Sequence, residues 1–361
     1  MGPNIRNQIE QALLELKQPE VVEAKCVHSL MASASCCSCV DACPKHAWIL
    51  SESVLGLDTG KCDGCGLCVP ACPEGAIQRL YEPLLCNWNG RDIVFVACEW
   101  AGVKRVDGVL HCVHSIGVRD LLILYQKGAK DIIVTRGDCT KCERGDSQRV
   151  GQAVIWINQM LTDRDIRPMR YYELTPERWT DSLNTVEKYS NGPEMGRRAF
   201  LRKTFVIAVS EQSVEDKLSG DIDTRSLPIG RLLPPTEKDA LLPFVPIIDA
   251  SRCNGCDTCV KLCPHDAITL NRDDETEVQS YGIQSENCSD CGICVDGCEV
   301  EAIAIKKWSV PDQIKINFTH SRCTACGADY HMPEVMSQTD ESLCRICRVV
   351  NHYRSLYQVR D

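Results

Sequence analysis

The sequence has no run of the ~18 apolar residues that a membrane span needs, so any membrane link would pass through a partner. It also lacks the basic excess of a nucleic-acid binder. Forty Lys and Arg stand against 50 Asp and Glu, giving a formal charge of −10, and the pI is near 5.4. That balance argues against nucleic acid and for a partner with a basic face. No Gly-x-Gly-x-x-Gly follows a strand-type run, so no flavin or nicotinamide fingerprint is present and two-electron chemistry has to happen elsewhere. The opening stretch, MGPNIRNQIEQALLELKQPE, is charged throughout and lacks the apolar core of a secretory signal. The expectation is a cytoplasmic, reduced protein.

What the sequence has in excess is cysteine, 26 in 361 residues. That density is shared by disulfide scaffolds and metal proteins. The cysteines fall in tight C-x2-C series, too short to close useful disulfide loops and right for chelation. Cys253, Cys256, Cys259, Cys263-Pro264 and Cys288, Cys291, Cys294, Cys298 are two complete four-cysteine runs. In such runs the fourth cysteine serves the other 4Fe–4S cluster. Cys253, Cys256, Cys259 and Cys298 are therefore assigned to one cluster, and Cys288, Cys291, Cys294 and Cys263 to the other. Gly255 and Gly292 let the backbone wrap so that amide N–H groups face the sulfurs. Pro264 fixes the exit of the chain, and Cys298 is followed by Glu299 where a proline is usual.

A second module, about 25–85, repeats the pattern incompletely. Cys62, Cys65, Cys68 and Cys72-Pro73 form a full run, but the one before it has Ser33 at the first ligand position, followed by Cys36, Cys37, Cys39 and Cys43. Cys26 from upstream, or Cys37, could replace the missing ligand. Neighbouring side chains point apart, which favours Cys26 over Cys37. The assignment is Cys26, Cys36, Cys39 and Cys72 for one cluster and Cys62, Cys65, Cys68 and Cys43 for the other, with a three-cysteine 3Fe–4S site as the alternative.

Between the modules the rhythm changes. Asp92–Cys98 and Asp131–Thr135 are short apolar strand-type runs, while Val118–Gly128 and Gln148–Leu161 have helical spacing. Alternating strands and helices predict a parallel α/β sheet. The motifs Val94-Phe-Val-Ala-Cys98-Glu-Trp-Ala-Gly102, Val109-Leu-His-Cys112, Leu121–Ala129 and Gly137-Asp-Cys139 resemble the small iron–sulfur subunit of methyl-viologen-reducing hydrogenase, a domain also found in heterodisulfide reductase flavoproteins. The resemblance covers about a quarter of the chain. It implies a small cluster on Cys98, Cys112, Cys139 and Cys142, 2Fe–2S first, then 4Fe–4S or zinc, passing electrons between a hydrogenase or dehydrogenase and a flavoprotein. Cys139-Thr-Lys-Cys142 is closer spaced than the family's late pair, and four buried structural thiols are the alternative. Cys86 is read as structural.

Cys323-x2-Cys326 and Cys344-x2-Cys347, with 17 residues between the pairs, match a structural zinc site. A rubredoxin-type iron uses the same four thiolates. His331 and His352 are read as surface residues. Gly196-Arg197-Arg198-Ala199-Phe200-Leu201-Arg202-Lys203 looks like a twin-arginine export motif but lies deep in the chain, with only five apolar residues after it; a basic amphipathic helix is expected instead.

The predicted architecture is α+β and multidomain. An N-terminal helix (1–24) precedes ferredoxin module 1 (25–85), the α/β domain (86–178), a linker with helices (179–244), ferredoxin module 2 (245–310) and a zinc-ribbon-like segment (318–361). The expected role is a non-catalytic electron-transfer subunit of a larger oxidoreductase. Its partner would be a hydrogenase, a molybdenum or tungsten formate dehydrogenase-like enzyme, or a heterodisulfide reductase-like flavoprotein. The competing readings are an oxidoreductase whose middle cluster reduces a thiol or disulfide, and a redox-sensing or assembly protein.

Overall fold

The computed structural model describes residues 18–51, 54–79, 82–145, 148–190, 224–236, 239–272, 278–311, 315–336 and 342–349. The arginine-rich segment 196–203, His352 and residues 1–17 of the expected N-terminal helix lie outside them. The described start of the chain is extended: Glu20–Val21 (β1) is a short strand, followed by a 3-10 turn at Glu23–Lys25.

The chain divides into two compact units. The first takes Met1–Cys26, Cys37–Leu227 and Leu232–Pro235, and the second takes Val27–Cys36, Pro228–Arg231 and Thr236–Asp361.

In the first unit Trp48–Ser51 (β2) and Val54–Leu57 (β3) form an antiparallel hairpin, and Ile77–Gln78 (β4) pairs with β1. Leu84–Trp88 (β5), Arg91–Cys98 (β6), Val109–Leu110 (β7), Ala129–Thr135 (β8) and Arg170–Glu173 (β9) make one sheet, in the order β5-β6-β8-β9 with β7 beside β6. β6 is parallel to β7 and β8, β8 is parallel to β9, and β5 is an antiparallel edge. Residues Ile93 to Cys98 are all buried, as expected of a strand covered on both faces. Helix Val118–Gln126 (α1) packs on β8, and Arg149–Asp163 (α2) packs on α1.

The other helix corrects a boundary. Pro176–Ser190 (α3) runs straight through position 178, where the linker was expected to begin. Trp179, Leu183 and Val186 lie along one face at i, i+4 and i+7 and bury against Ile93, Phe95 and Ala97 of β6. Trp179 meets Phe95 edge-on at 5.8 Å, and its indole N–H donates to the Ile133 carbonyl at 3.2 Å. A helix was expected in the segment after 178; what differs is that it begins at Pro176 and belongs to the core of the α/β domain.

Module 1 and the α/β domain are one packed body rather than two. Arg79 reaches across to Asp120 at 2.9 Å and to the Ser115 carbonyl at 2.8 Å. Arg119 donates to the carbonyls of Cys72 and Pro73 at 3.3 and 2.5 Å. Gly117 packs so tightly on Pro70 that a Cβ there would stand 2.4 Å from the proline ring.

In the second unit Leu242–Ile248 (β10) pairs antiparallel with Ile303–Ser309 (β13). Ile268–Arg272 (β11), Gln279–Ile283 (β12), Ile316–Arg322 (β14) and Asp329–Pro333 (β15) form a four-stranded antiparallel sheet. The C-terminal segment is thus no separate ribbon; its first two strands extend the sheet of module 2. The reason is Phe318, buried on β14 and packed against Tyr281 of β12 with ring centroids 4.5 Å apart. No helix among the described residues is long and apolar enough to cross a membrane.

Because Trp179 is fully buried and its indole N–H donates to the sheet's backbone at Ile133, Trp179→Ala should destabilise the first unit by about 3–5 kcal/mol. Denaturant unfolding followed by near-ultraviolet circular dichroism measures this, and a loss below ~1 kcal/mol would show that α3 does not close the sheet.

Candidate metal centres

The three complete cysteine runs fold alike. After the first cysteine of each, the second and fourth residues sit in the left-handed region: Gly64 and Gly66 (φ 70 and 73°), Gly255 and Asp257 (67 and 60°), Asp290 and Gly292 (66 and 78°). Alternating this conformation with ordinary backbone curls the loop and turns its amides inward. Of these six positions only Gly255 and Gly292 were expected from the sequence; Asp257 and Asp290 escape notice there because aspartate seldom takes this conformation, and Gly64 and Gly66 show that the module 1 run wraps in the same way.

The fourth cysteines share a second device. The residue three after each is also left-handed: His46, Gly75, Asp266 and Glu301, at φ 47, 61, 54 and 48°. The next amide then points back at the sulfur. Ala47, Ala76, Ala267 and Ala302 donate to Cys43, Cys72, Cys263 and Cys298 at 3.4, 3.3, 3.2 and 3.2 Å. Cys298 keeps this geometry with Glu299 in place of proline, so the proline is dispensable.

The run beginning at Ser33 lacks the wrapping. No residue from 33 to 39 is left-handed, and Cys37 has φ −124°. Cys37 is exposed and its thiol donates to Asp41 at 3.0 Å. Cys26, Cys39 and Cys72 belong to the first unit, where Cys39 and Cys72 pack on the core of Trp48, Cys68 and Ile77. Cys36 ends the segment counted with the second unit.

The remaining thiols converge. Cys43, Cys62, Cys65 and Cys68 line one cavity of about 300 Å³ with Asp63 and Trp48. Cys253, Cys256, Cys259 and Cys298 line another of about 290 Å³. Each of these two cavities thus joins three cysteines of one run to the last cysteine of its partner run. Cys294 feels the charges of Cys263 and Cys298, and Cys288 those of Cys294 and Cys291. Burial pushes the thiols up, Cys68 and Cys259 to about 12, Cys112 and Cys294 to about 11. Metal must therefore displace their protons.

Cys98, Cys112, Cys139 and Cys142 line a third cavity, of about 390 Å³, with Leu67, Trp100, His114 and Arg144. β6 ends at Cys98, while Cys112 and Cys139 follow β7 and β8. This is the carboxyl edge where parallel sheets build sites. The Trp100 amide donates to Cys98 at 3.3 Å, and the Arg136 guanidinium to Cys139 at 3.4 Å. His114 is buried, with Nε2 3.5 Å from the Cys139 sulfur and Nδ1 3.5 Å from the Val150 amide. A backbone N–H can only donate, so Nδ1 accepts and the ring proton sits on Nε2, facing the sulfur. His114, Arg136 and Arg144 were missed in the sequence, where nothing marks a histidine two residues past a cysteine as a donor to a different one.

At the C-terminus the sulfurs of Cys323, Cys326, Cys344 and Cys347 lie within 4.8 Å of one another. Tetrahedral thiolate sites with ~2.3 Å metal–sulfur bonds have sulfur–sulfur edges of about 3.8 Å, and Cys326 and Cys344 are 3.8 Å apart. The Cys344 amide donates to Cys323 at 3.2 Å. The donor set fits one metal ion. His331, expected on the surface, is instead packed on Phe318 and bonded to Asp257 at 3.0 Å.

Comparison with known proteins agrees with the cysteine geometry. A family model for a 4Fe–4S dicluster domain matches residues 252–302, and one for a 4Fe–4S binding domain matches 56–78. The chain carries two 4Fe–4S ferredoxin-type domains. An uncharacterized ferredoxin of Methanocaldococcus jannaschii is 27% identical over 130 residues, 35% of this chain and 69% of that one. A ferredoxin of Rickettsia felis is 34% identical over 68 residues, 19% of this chain and 62% of that one. An Escherichia coli K12 protein named as an oxidoreductase is 28% identical over 109 residues, 30% of this chain but only 15% of its own length. These matches support an electron-transfer role for the ferredoxin domains.

The raised thiols give a pH signature. In the metal-free reduced chain they favour the folded state up to about pH 9, the ordinary thiol value, and lose that contribution as pH climbs through the 11–12 of Cys112, Cys294, Cys68 and Cys259. The urea midpoint of metal-free protein should fall from pH 8.5 to 11. A flat profile would show that the thiols are not buried in the folded chain.

Proposed function

We propose that the chain is a multi-centre electron relay within a larger oxidoreductase. The observation that carries this reading is the crossed grouping of cysteines around matched cavities in both ferredoxin modules, with amide donors on the sulfurs. A 4Fe–4S group bound there supplies one-electron transfer. The chain's part is to hold the group by four thiolates, to stabilise the sulfur charge through N–H donors and to keep water out with Trp48, Leu57, Ile248 and Ile303.

The cavities support cubane sites on Cys43/Cys62/Cys65/Cys68 and Cys253/Cys256/Cys259/Cys298, and the mutual charges of the remaining module 2 thiols support one on Cys263/Cys288/Cys291/Cys294. The fourth, on Cys26, Cys36, Cys39 and Cys72, rests on the sequence alone. The cavity of Cys98, Cys112, Cys139 and Cys142 is the place for a further iron–sulfur group. Its donors from Trp100, Arg136 and His114 suit sulfur ligands that carry negative charge. Among the described residues no fifth cysteine lines it, which disfavours thiol or disulfide reduction there. The Cys323–Cys347 site suits structural zinc, or a rubredoxin-type iron. The resemblance of the middle domain supports a hydrogenase, a molybdenum or tungsten dehydrogenase, or a flavoprotein as partner, and the net charge of −10 suits a basic docking face.

Anaerobic purification with iron, sulfide and zinc analysis tests the reading. Four cubanes give about 16 iron atoms, the middle site two to four more, and the C-terminal site one zinc. Dithionite should reduce the centres one electron at a time, and a one-electron dye should reoxidise them. Fewer than about eight iron atoms in protein kept anaerobic would sink the proposal.

A further inference from the structure

Two of the cysteine cavities in the first unit share a wall. Leu67 lies between Cys65 and Cys68 in the ligand loop of module 1, is fully buried, and also lines the cavity of Cys98, Cys112, Cys139 and Cys142. Gly66, next to it, faces Ser115 so closely that a Cβ would stand 3.1 Å from the serine Cβ. Into this wall runs one guanidinium. Arg144, two residues after Cys142 and with its side chain only 8% exposed, bonds Asp63 at 2.7 Å and Glu99 at 2.8 Å. Its third contact is the His111 carbonyl, at 2.5 Å.

Each partner belongs to a ligand loop. Asp63 follows Cys62, lines the module 1 cavity and accepts from the Cys65 amide at 3.1 Å. Glu99 follows Cys98 and is also bonded to His111, the neighbour of Cys112, at 2.9 Å. Burial works to raise both carboxyls, but their hydrogen-bonded partners, Arg144 among them, outweigh it and keep them ionised. Burial raises the thiols of Cys65, Cys98 and Cys112, and at all three the charge of Arg144 opposes it. The field of one cation therefore reaches ligands of both cavities.

We infer that Arg144 is a shared charge-compensating and positioning residue that sets the reduction potentials of the module 1 centre at Cys43/Cys62/Cys65/Cys68 and the middle centre together. The inference rests on the reading that both cavities hold iron–sulfur groups. Each centre takes one electron from an external viologen mediator and no proton, so reduction adds one negative charge to each side of the wall. A cation buried between them favours both reduced forms, and Asp63 and Glu99 each oppose it on their own side.

The test is a mediated redox titration of the anaerobic full chain, read by electron paramagnetic resonance at the poise that half-reduces each wild-type centre. Arg144→Gln should lower the reduced-to-oxidised ratio about tenfold at both centres, equivalent to about 59 mV for one electron. The Cys253/Cys256/Cys259/Cys298 centre of the second unit should not move. Arg144→Lys keeps the charge and should restore both ratios most of the way, which a purely structural role would not predict. Two charge-balanced doubles serve if Arg144→Gln does not retain iron. Glu99→Gln/Arg144→Gln should lower only the module 1 ratio, where Asp63 is left unopposed, and Asp63→Asn/Arg144→Gln only the middle one. A shift confined to the same one centre in every variant that carries Arg144→Gln, or to neither centre in any of them, overturns the inference. Wild-type protein without iron and sulfide in the middle cavity overturns instead the reading beneath it.

Discussion

A sulfur anion taken out of water has to be met by hydrogen-bond donors, and both units are arranged around that requirement. The donors are chiefly backbone amides, and an amide faces inward only where the chain bends the wrong way for an ordinary side chain. Among the described residues eight non-glycine positions have positive φ, and five of them, His46, Asp257, Asp266, Asp290 and Glu301, stand in cysteine loops. Each costs of order 1–2 kcal/mol, so strain is concentrated where the sulfurs are. The cores repeat the point. Cys253, Cys259 and Cys294 are themselves core residues, packed with Ile268, Tyr281 and Phe318.

That requirement explains a link between the second unit's site and its sheet. Asp257, left-handed in its loop, is held by the Tyr281 hydroxyl at 2.8 Å and by His331 at 3.0 Å, and its amide donates to the same hydroxyl at 3.2 Å. Tyr281 lies on β12 and His331 on β15. The strand that leads away from the Cys323 loop therefore also fixes a ligand loop some 70 residues earlier, Asp257 and His331 being 74 positions apart. This is why the C-terminal segment extends the module 2 sheet instead of standing free.

What was legible in the sequence follows from the same physics. Cysteine spacing is local, and thiolate chelation tolerates few alternatives, so the complete runs could be read directly. The strands at 92–98 and 131–135 and the helices at 118 and 148 announced themselves through apolar period. What could not be read depends on distant partners. Asp257 has no reason to be left-handed until Tyr281 and His331 are beside it, and the polar helix at 176–190 is held by Trp179, whose pocket is made by Phe95 and Ile133. Arg144 looks like one more surface charge until Asp63, 81 residues away, meets it. The boundary drawn at 85 cuts a packed body for a related reason: Arg79, Arg119 and Arg144 all tie the first module to the α/β domain by satisfying carbonyls or carboxylates on its far side.

The run at Ser33 shows the rule by its exception. Read as spacing alone, Ser33 is a single lost ligand in an otherwise ordinary series. The backbone shows a deeper departure, because neither of the left-handed residues that wrap the other three runs exists here. Their positions hold Ser35 and Cys37. Ser35 is committed to Asp296 through both its amide and its hydroxyl, at 2.7 and 2.8 Å, and Cys37 is in ordinary backbone with its thiol on Asp41. A cysteine at position 33 would therefore sit on a loop that does not turn its amides inward. Restoring a thiol at 33 alone would not rebuild the wrapping that the complete runs share, because the two turning positions are already given to other contacts.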